Sequence, residues 1–266
     1  MFSQPPVQPP PRPVSRVRLP ITRPLLAYIL IGIIVAIFIV MELSGGSTNA
    51  ENLVAFGANY APYVSQGQYW RLVTANFLHI GFLHLAVNAY ALYVLGKEAE
   101  SLYGHQRFLV VYLLSGICGA IFSYLITQGL SAGASTSLFG LFGALAVFYW
   151  KQRKLLGSMG QQRLINLGFV LLINVFLGLN PGSGIDIWGH VGGFIGGVIL
   201  AWYLCPVYSL GDSSSGVNVL TSGMNITEPS GMQIVDTNTL AKQSFIVGLF
   251  SIGLVVLTII ASRVQR

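Results

Sequence analysis

Seven apolar runs, at residues 25–43, 72–96, 108–128, 135–150, 164–179, 187–204 and 245–260, divide this chain, and none is shorter than 16 residues. Stretches of that length are membrane-helix candidates. In lipid a backbone must satisfy its own hydrogen bonds, which a helix does within one segment. Composition supports the same class. Of the 266 residues, 53% are hydrophobic and 8% charged, with a mean hydropathy of +0.69, whereas soluble domains carry about 25% charged residues. The sequence therefore reads as an all-α polytopic membrane protein.

The formal charge of +6 does not point to nucleic acid, because the basic residues flank apolar runs and form no patch; they are topology signals. With the N-terminus inside, eleven of the fourteen Lys and Arg fall on the inner side, leaving Arg71, Arg263 and Arg266 outside. The positive-inside rule places the N-terminus in the cytoplasm, and the expected location is the plasma (inner) membrane. Residues 1–24, proline-rich with Arg12, Arg16, Arg18 and Arg23, read as an extended tail. The run at 25–43 is too long for the apolar part of a cleavable signal. Residues 25–205 form a six-span core, residues 206–242 a flexible Ser/Gly-rich linker, and residues 243–266 a seventh span with a short tail. Within the core, 97–107 and 151–163 read as charged loops, and 44–70 is long enough to have structure of its own. Cys118 and Cys205 lie in apolar runs, where a thiol behaves as a small hydrophobe. No disulfide framework, metal motif or cofactor signature is present.

Ser135 opens the fourth run, just after Gly133 and Ala134. A helix over residues 135–150 is about 24 Å long, roughly 6 Å short of a bilayer core. With its other end held by Trp150 and the basic cluster Lys151, Arg153 and Lys154, Ser135 should lie below the membrane surface. Irregular backbone at that depth must pack in protein or line a wet cavity. A helix start also offers open N–H groups suited to an oxyanion. The bland alternative is a small-residue packing face with serine bonding a neighbouring helix.

The topology brings His84, Asn88, Ser135 and His190 to the outer half of the membrane. Intramembrane polar groups are costly and are functional candidates. His190 can act as base toward Ser135. His84 and Asn88, four residues apart, share a helix face and can aim donors at one place. Asp186, four residues before His190, could orient it or cap its helix. His79 reads as interfacial and structural, on a different face from His84. Gly193 with Gly197, and Gly140 with Gly143, permit close helix approach. For any one of these residues an interhelical hydrogen bond is the competing reading; a shared depth for all four favours a site.

These residues resemble the rhomboid intramembrane serine proteases over about residues 25–205. The likeness rests on Trp70-Arg71, His84-x-x-x-Asn88, Glu100-x-x-x-Gly104, Gly133-Ala134-Ser135 and His190-x-x-Gly193-x-x-x-Gly197, in that order. The resemblance implies a six-helix rhomboid-like core with a seventh C-terminal transmembrane helix and a Ser135/His190 dyad. It also implies an oxyanion site from His84, Asn88 and the backbone at Ala134 and Ser135, and Phe139 packed against His190, with Gly133, Gly193, Gly197 and Asp186 in support. Thr136 stands where many relatives have glycine.

The expected activity is endoproteolysis of single-span membrane proteins through an acyl-enzyme, without cofactor or metal. The competing class is a non-catalytic relative that binds or escorts membrane proteins; retention of both Ser135 and His190 argues against it. A transporter would need an internal repeat with broken helices in matching halves. Neither HExxH nor a second aspartate near a span supports another intramembrane protease chemistry. Beyond substrate and lipid, the sequence indicates no partner and leaves the oligomeric state open.

Overall fold

The computed structural model describes residues 21–127, 129–180, 184–212 and 232–265. Helix α1 is Leu26–Leu43. Two short helices, α2 (Ala50–Phe56) and α3 (Ala61–Ser65), structure the first long connection, separated by strand β1 (Asn59–Tyr60). Asn49 caps α2 by accepting from Glu51 N and Asn52 N, the usual role of a short polar side chain at a helix start. Then come α4 (Arg71–Thr74), a 3-10 turn (Ala75–Phe77), α5 (Gly81–Ala91), a π turn (Leu92–Gly96) and α6 (Lys97–Tyr103). Helix α7 is His105–Ile126, β2 is Leu130–Ser131, α8 is Ser135–Lys151, α9 is Arg153–Gly178 and α10 is Ile187–Leu204. Strands β3 (Tyr208–Asp212) and β4 (Met232–Asp236) precede α11 (Ser244–Val264).

Among the described residues five helices are long and apolar enough to cross a membrane, or six with the bent pair Arg71–Phe77 and Gly81–Tyr103 counted as one span. The chain is an integral multi-pass membrane protein. Two expectations need correction. The run at 72–96 is not one helix: the chain turns by 90° between Phe77 and Gly81, where Leu78 and Ile80 are extended and Gly81 takes φ 77°, a conformation glycine adopts without strain. The segments 97–107 and 151–163, read as loops from their charge, are mostly helical; α6 continues directly from the π turn, and α9 starts at Arg153 with a kink at Gly157.

Helices α7, α8 and α10 form the core of the bundle, and glycine sets how close they come. A Cβ on Gly197 would lie 2.1 Å from Gly140 O, one on Gly140 1.8 Å from Ser115 Oγ, and one on Gly119 2.5 Å from Gly189 O. No side chain fits in those places. By contrast, α9 is mostly exposed, with only Gly160 buried.

The expected linker at 206–242 has paired ends. β3 and β4 are antiparallel, and Arg107 at the start of α7 holds Asp236 Oδ2 at 2.6 Å and donates to Asn238 O at 2.6 Å. At its other end α11 is tied to α7 by Gln265 Nε2 donating to Leu125 O at 2.9 Å.

Helix α1 has no side-chain cap of its own. Glu100, fully buried, supplies one from α6: its carboxylate accepts from the N–H groups of Leu25, Leu26 and Ala27 at 3.0, 2.8 and 2.8 Å and meets His105 Nδ1 at 2.5 Å. A carboxylate here opposes the positive end of the helix. Glu100→Ala should lower stability by about 3 kcal/mol, since each orphaned buried donor costs roughly 1–3 kcal/mol. Thermal unfolding in detergent measures this, and an unchanged midpoint would remove Glu100 from any account of stability.

Candidate active site

The approach to Ser135 is held by backbone. β1 pairs with β2 through Asn59 with Ser131 and Tyr60 with Leu130. Gly133 N then donates to Ala75 O at 2.9 Å, and Ala134 N to His79 Nε2 at 3.3 Å. Gly133 has φ 143°, in the region that favours glycine. With the loop so fixed, α8 starts at Ser135 without a side-chain cap, which leaves the N–H groups of its first turn without intrahelical partners.

On α10, Asp186 caps the helix by accepting from Gly189 N at 3.0 Å, and its carboxylate also accepts from Thr127 Oγ1 at 3.1 Å and Ser131 Oγ at 2.6 Å. It thus joins the loop before Ser135 to the helix of His190. Its observed partners are these donors, not the imidazole. One turn on, His190 Nε2 lies 2.8 Å from Ser135 Oγ. Phe139 stacks on the His190 ring at 4.2 Å and 15°, fixing the imidazole plane. For Ser135 to donate, Nε2 must be the acceptor, which puts the ring proton on Nδ1.

His84 Nδ1 accepts from Ile80 N at 3.3 Å, so the neutral ring carries its proton on Nε2. That nitrogen faces Gly133: a point at the ideal Cβ position of Gly133 would be 2.9 Å from His84 Nε2 and 3.6 Å from Ser135 Oγ. The glycine thus leaves a niche, within reach of both groups, where a reacting atom could sit. Asn88 Nδ2 donates to His84 O at 2.8 Å, which leaves its second N–H available. Ala134 differs from expectation, because its amide is committed to His79; the first-turn amide at Ser135 is the open backbone donor.

Sequence reasoning missed the contacts of three residues. His79, read as structural, is fully buried and accepts from Ala134 N, and its ring lies 5.3 Å from that of His84. The break before Gly81 places it off the helix, so counting helical faces from His84 misplaced it. Asn76 and Thr136 bond to each other through Oδ1 and Oγ1 at 2.5 Å. Only the distance of Asn76 from Thr136 along the chain hid that pairing.

The profile of the family described as Rhomboid domain matches residues 66–207, more than half of the chain. This chain belongs to the rhomboid family. It is 44% identical over 166 residues to the Rhomboid protease GluP of Bacillus subtilis, covering 62% of this chain and 32% of that protein. It is 37% identical to the Rhomboid-like protease 3 of Toxoplasma gondii, covering 58% of this chain and 59% of that one. With the Putative rhomboid protease YdcA of Bacillus subtilis it shares 34% identity over 53% of this chain and 70% of the relative. This rhomboid thus spans about a third of the first of these relatives and three-fifths of the second. All ten residues assigned above from the resemblance fall inside the matched segment, whereas the β3–β4 pair and α11 follow it.

Proposed function

We propose that this protein is an intramembrane serine endopeptidase that cuts membrane-spanning segments, with Ser135 as nucleophile and His190 as general base. The observation that carries the reading is the 2.8 Å approach of His190 Nε2 to Ser135 Oγ, at the start of a helix inside an apolar bundle. In this scheme Oγ attacks the scissile carbonyl carbon while its proton passes to Nε2. The carbonyl π pair moves to oxygen, which sits above Gly133 and receives bonds from His84 Nε2–H, the second Asn88 N–H and the Ser135 amide. The protonated His190 gives its proton to the leaving amine, the C–N bond breaks, and an ester to Ser135 is left. Water, deprotonated by His190, releases it by the same steps in reverse order.

The topology that accompanies this reading has seven crossings: α1, the bent α4–α6 unit, α7, α8, α9, α10 and α11. The charge distribution supports a cytoplasmic N-terminus; the membrane of this proposal is the plasma (inner) membrane, and the substrates are single-span proteins cut near the outer part of their span. The test is reconstitution of the full chain with a single-span reporter, with the new N-terminus of the product sequenced. A cut within the outer part of the span that disappears in Ser135→Ala supports the reading; equal cutting by that variant overturns it.

The oxyanion assignment has its own test. His84→Ala should lower kcat by about 100- to 1,000-fold, the scale for one lost donor, with KM little changed. Steady-state kinetics in proteoliposomes separates the two constants. Normal turnover at saturation with a raised KM would move His84 from transition-state stabilisation to substrate binding.

A further inference from the structure

Thr136, next to the nucleophile, is 6% exposed, and its acceptor Asn76 is 5% exposed. Asn76 Nδ2 donates to Leu72 O at 2.9 Å and Val73 O at 3.3 Å, which assigns Oδ1 to the opposite side. There Oδ1 accepts from Thr136 Oγ1 at 2.5 Å and from Ser137 Oγ at 3.4 Å. A buried side chain in the 3-10 turn that follows α4 thus grips two hydroxyls of the first turn of α8. The apolar side of Thr136 is equally confined. A Cβ on Gly119 would lie 2.8 Å from Thr136 Cβ, one on Gly189 3.0 Å from Thr136 Cγ2, and one on Gly193 2.1 Å from Thr136 O. Three glycines on α7 and α10 therefore leave room for one β-branched residue.

We propose that Thr136 is a positioning residue, held by Asn76, that sets how the first turn of α8 is rotated and so directs Ser135 Oγ onto His190 Nε2. The inference rests on the proteolytic reading above. Thr136 touches no reacting atom; it acts through the backbone it shares with Ser135. The hydroxyl fixes the turn against the 3-10 turn after α4, while the methyl packs between α7 and α10. Loss of the hydroxyl contact lets the turn rotate by an amount small for the fold but large for a 2.8 Å hydrogen bond.

The test uses the full chain in proteoliposomes with a single-span reporter. It measures kcat, KM, the rate at which a fluorophosphonate labels Ser135, and the thermal midpoint. Thr136→Val keeps the shape and removes the donor. It should lower kcat about 10- to 100-fold, the scale of a small misplacement of reacting groups, while KM stays within about twofold. Labelling should slow by the same factor, Thr136→Ser should recover most of both rates, and Asn76→Ala should reproduce Thr136→Val, with the double variant no slower than either. Labelling by Thr136→Val at the wild-type rate, or Thr136→Ser as slow as Thr136→Val, overturns the proposal. Should Thr136→Val fail to fold, Thr136→Cys, of similar size with a weak donor, replaces it under the same criteria. Wild type that neither cleaves nor labels, like a Ser135→Ala control, would sink the proteolytic reading and this inference with it. Labelled wild type with unaffected Thr136→Val sinks only the inference.

Discussion

Ser135→Ala and His190→Ala should each reduce reporter cleavage by at least about 10,000-fold, and the double variant should be hardly worse than either, because members of one catalytic unit are strongly non-additive. The expectation follows from the geometry. Without Oγ there is no nucleophile, and without Nε2 at 2.8 Å a serine hydroxyl keeps its proton at neutral pH. Neither change should disturb the fold, since the close helix contacts of α8 and α10 run through glycines. Fluorophosphonate labelling separates the roles: Ser135→Ala removes the labelled atom, whereas His190→Ala keeps it and slows its reaction. Purified variants that insert normally and still cut at more than a hundredth of the wild-type rate, far above that residual, would refute the dyad.

Gly193→Ala should damage both activity and stability. Its new Cβ would lie 2.1 Å from Thr136 O and 2.9 Å from Thr136 C. Those are backbone atoms, so no side chain can swing away, and α10 must retreat from α8 by about 1 Å to reach ordinary contact. His190 sits one turn earlier on the same helix, and a retreat of that size breaks its bond to Ser135. A loss of about 100-fold in kcat with a stability cost of about 1–3 kcal/mol is expected from kinetics and thermal unfolding of the same preparation. Gly32→Ala on α1 is the control, since nothing lies within 4 Å of its added Cβ; it should leave both quantities near wild type. Equal behaviour of the two variants would mean that the α8–α10 contact is softer than its distances imply.

How much of this was legible in the chain depended on whether the determining partner was near in sequence. The helix Ile187–Leu204 was bounded correctly because Asp186 caps it locally, and the start of α8 was marked by the glycine and serine beside it. The bend between Phe77 and Gly81 was missed, because an apolar run carries no sign of a break other than Gly81 itself. The helical character of 97–103 was hidden by its charges, since the acidic residue that looked like loop composition, Glu100, is buried as the cap of α1 more than seventy residues away. The partners of His79 and Asn76 were hidden for the same reason. Their roles are set by Ala134 and Thr136, and neither spacing nor periodicity encodes a contact across so much chain.

The length of α8 also has a consequence for the choice of lipid. The helix has 17 residues, about 26 Å, and its far end is pinned where Lys151 donates to Trp202 O and lies 4.7 Å over that ring, with Arg153 4.4 Å over Trp150. Ser135 therefore stands at a fixed height above that basic, aromatic boundary, whatever the thickness of the bilayer. Lengthening the acyl chains raises the opposite surface away from the serine and leaves the serine where it is. Measured along a substrate, the cut should keep its register with the flank on the Lys151 side and slide relative to the other flank. On the proteolytic reading, the protein would act as a ruler whose zero is the basic end of its own helix.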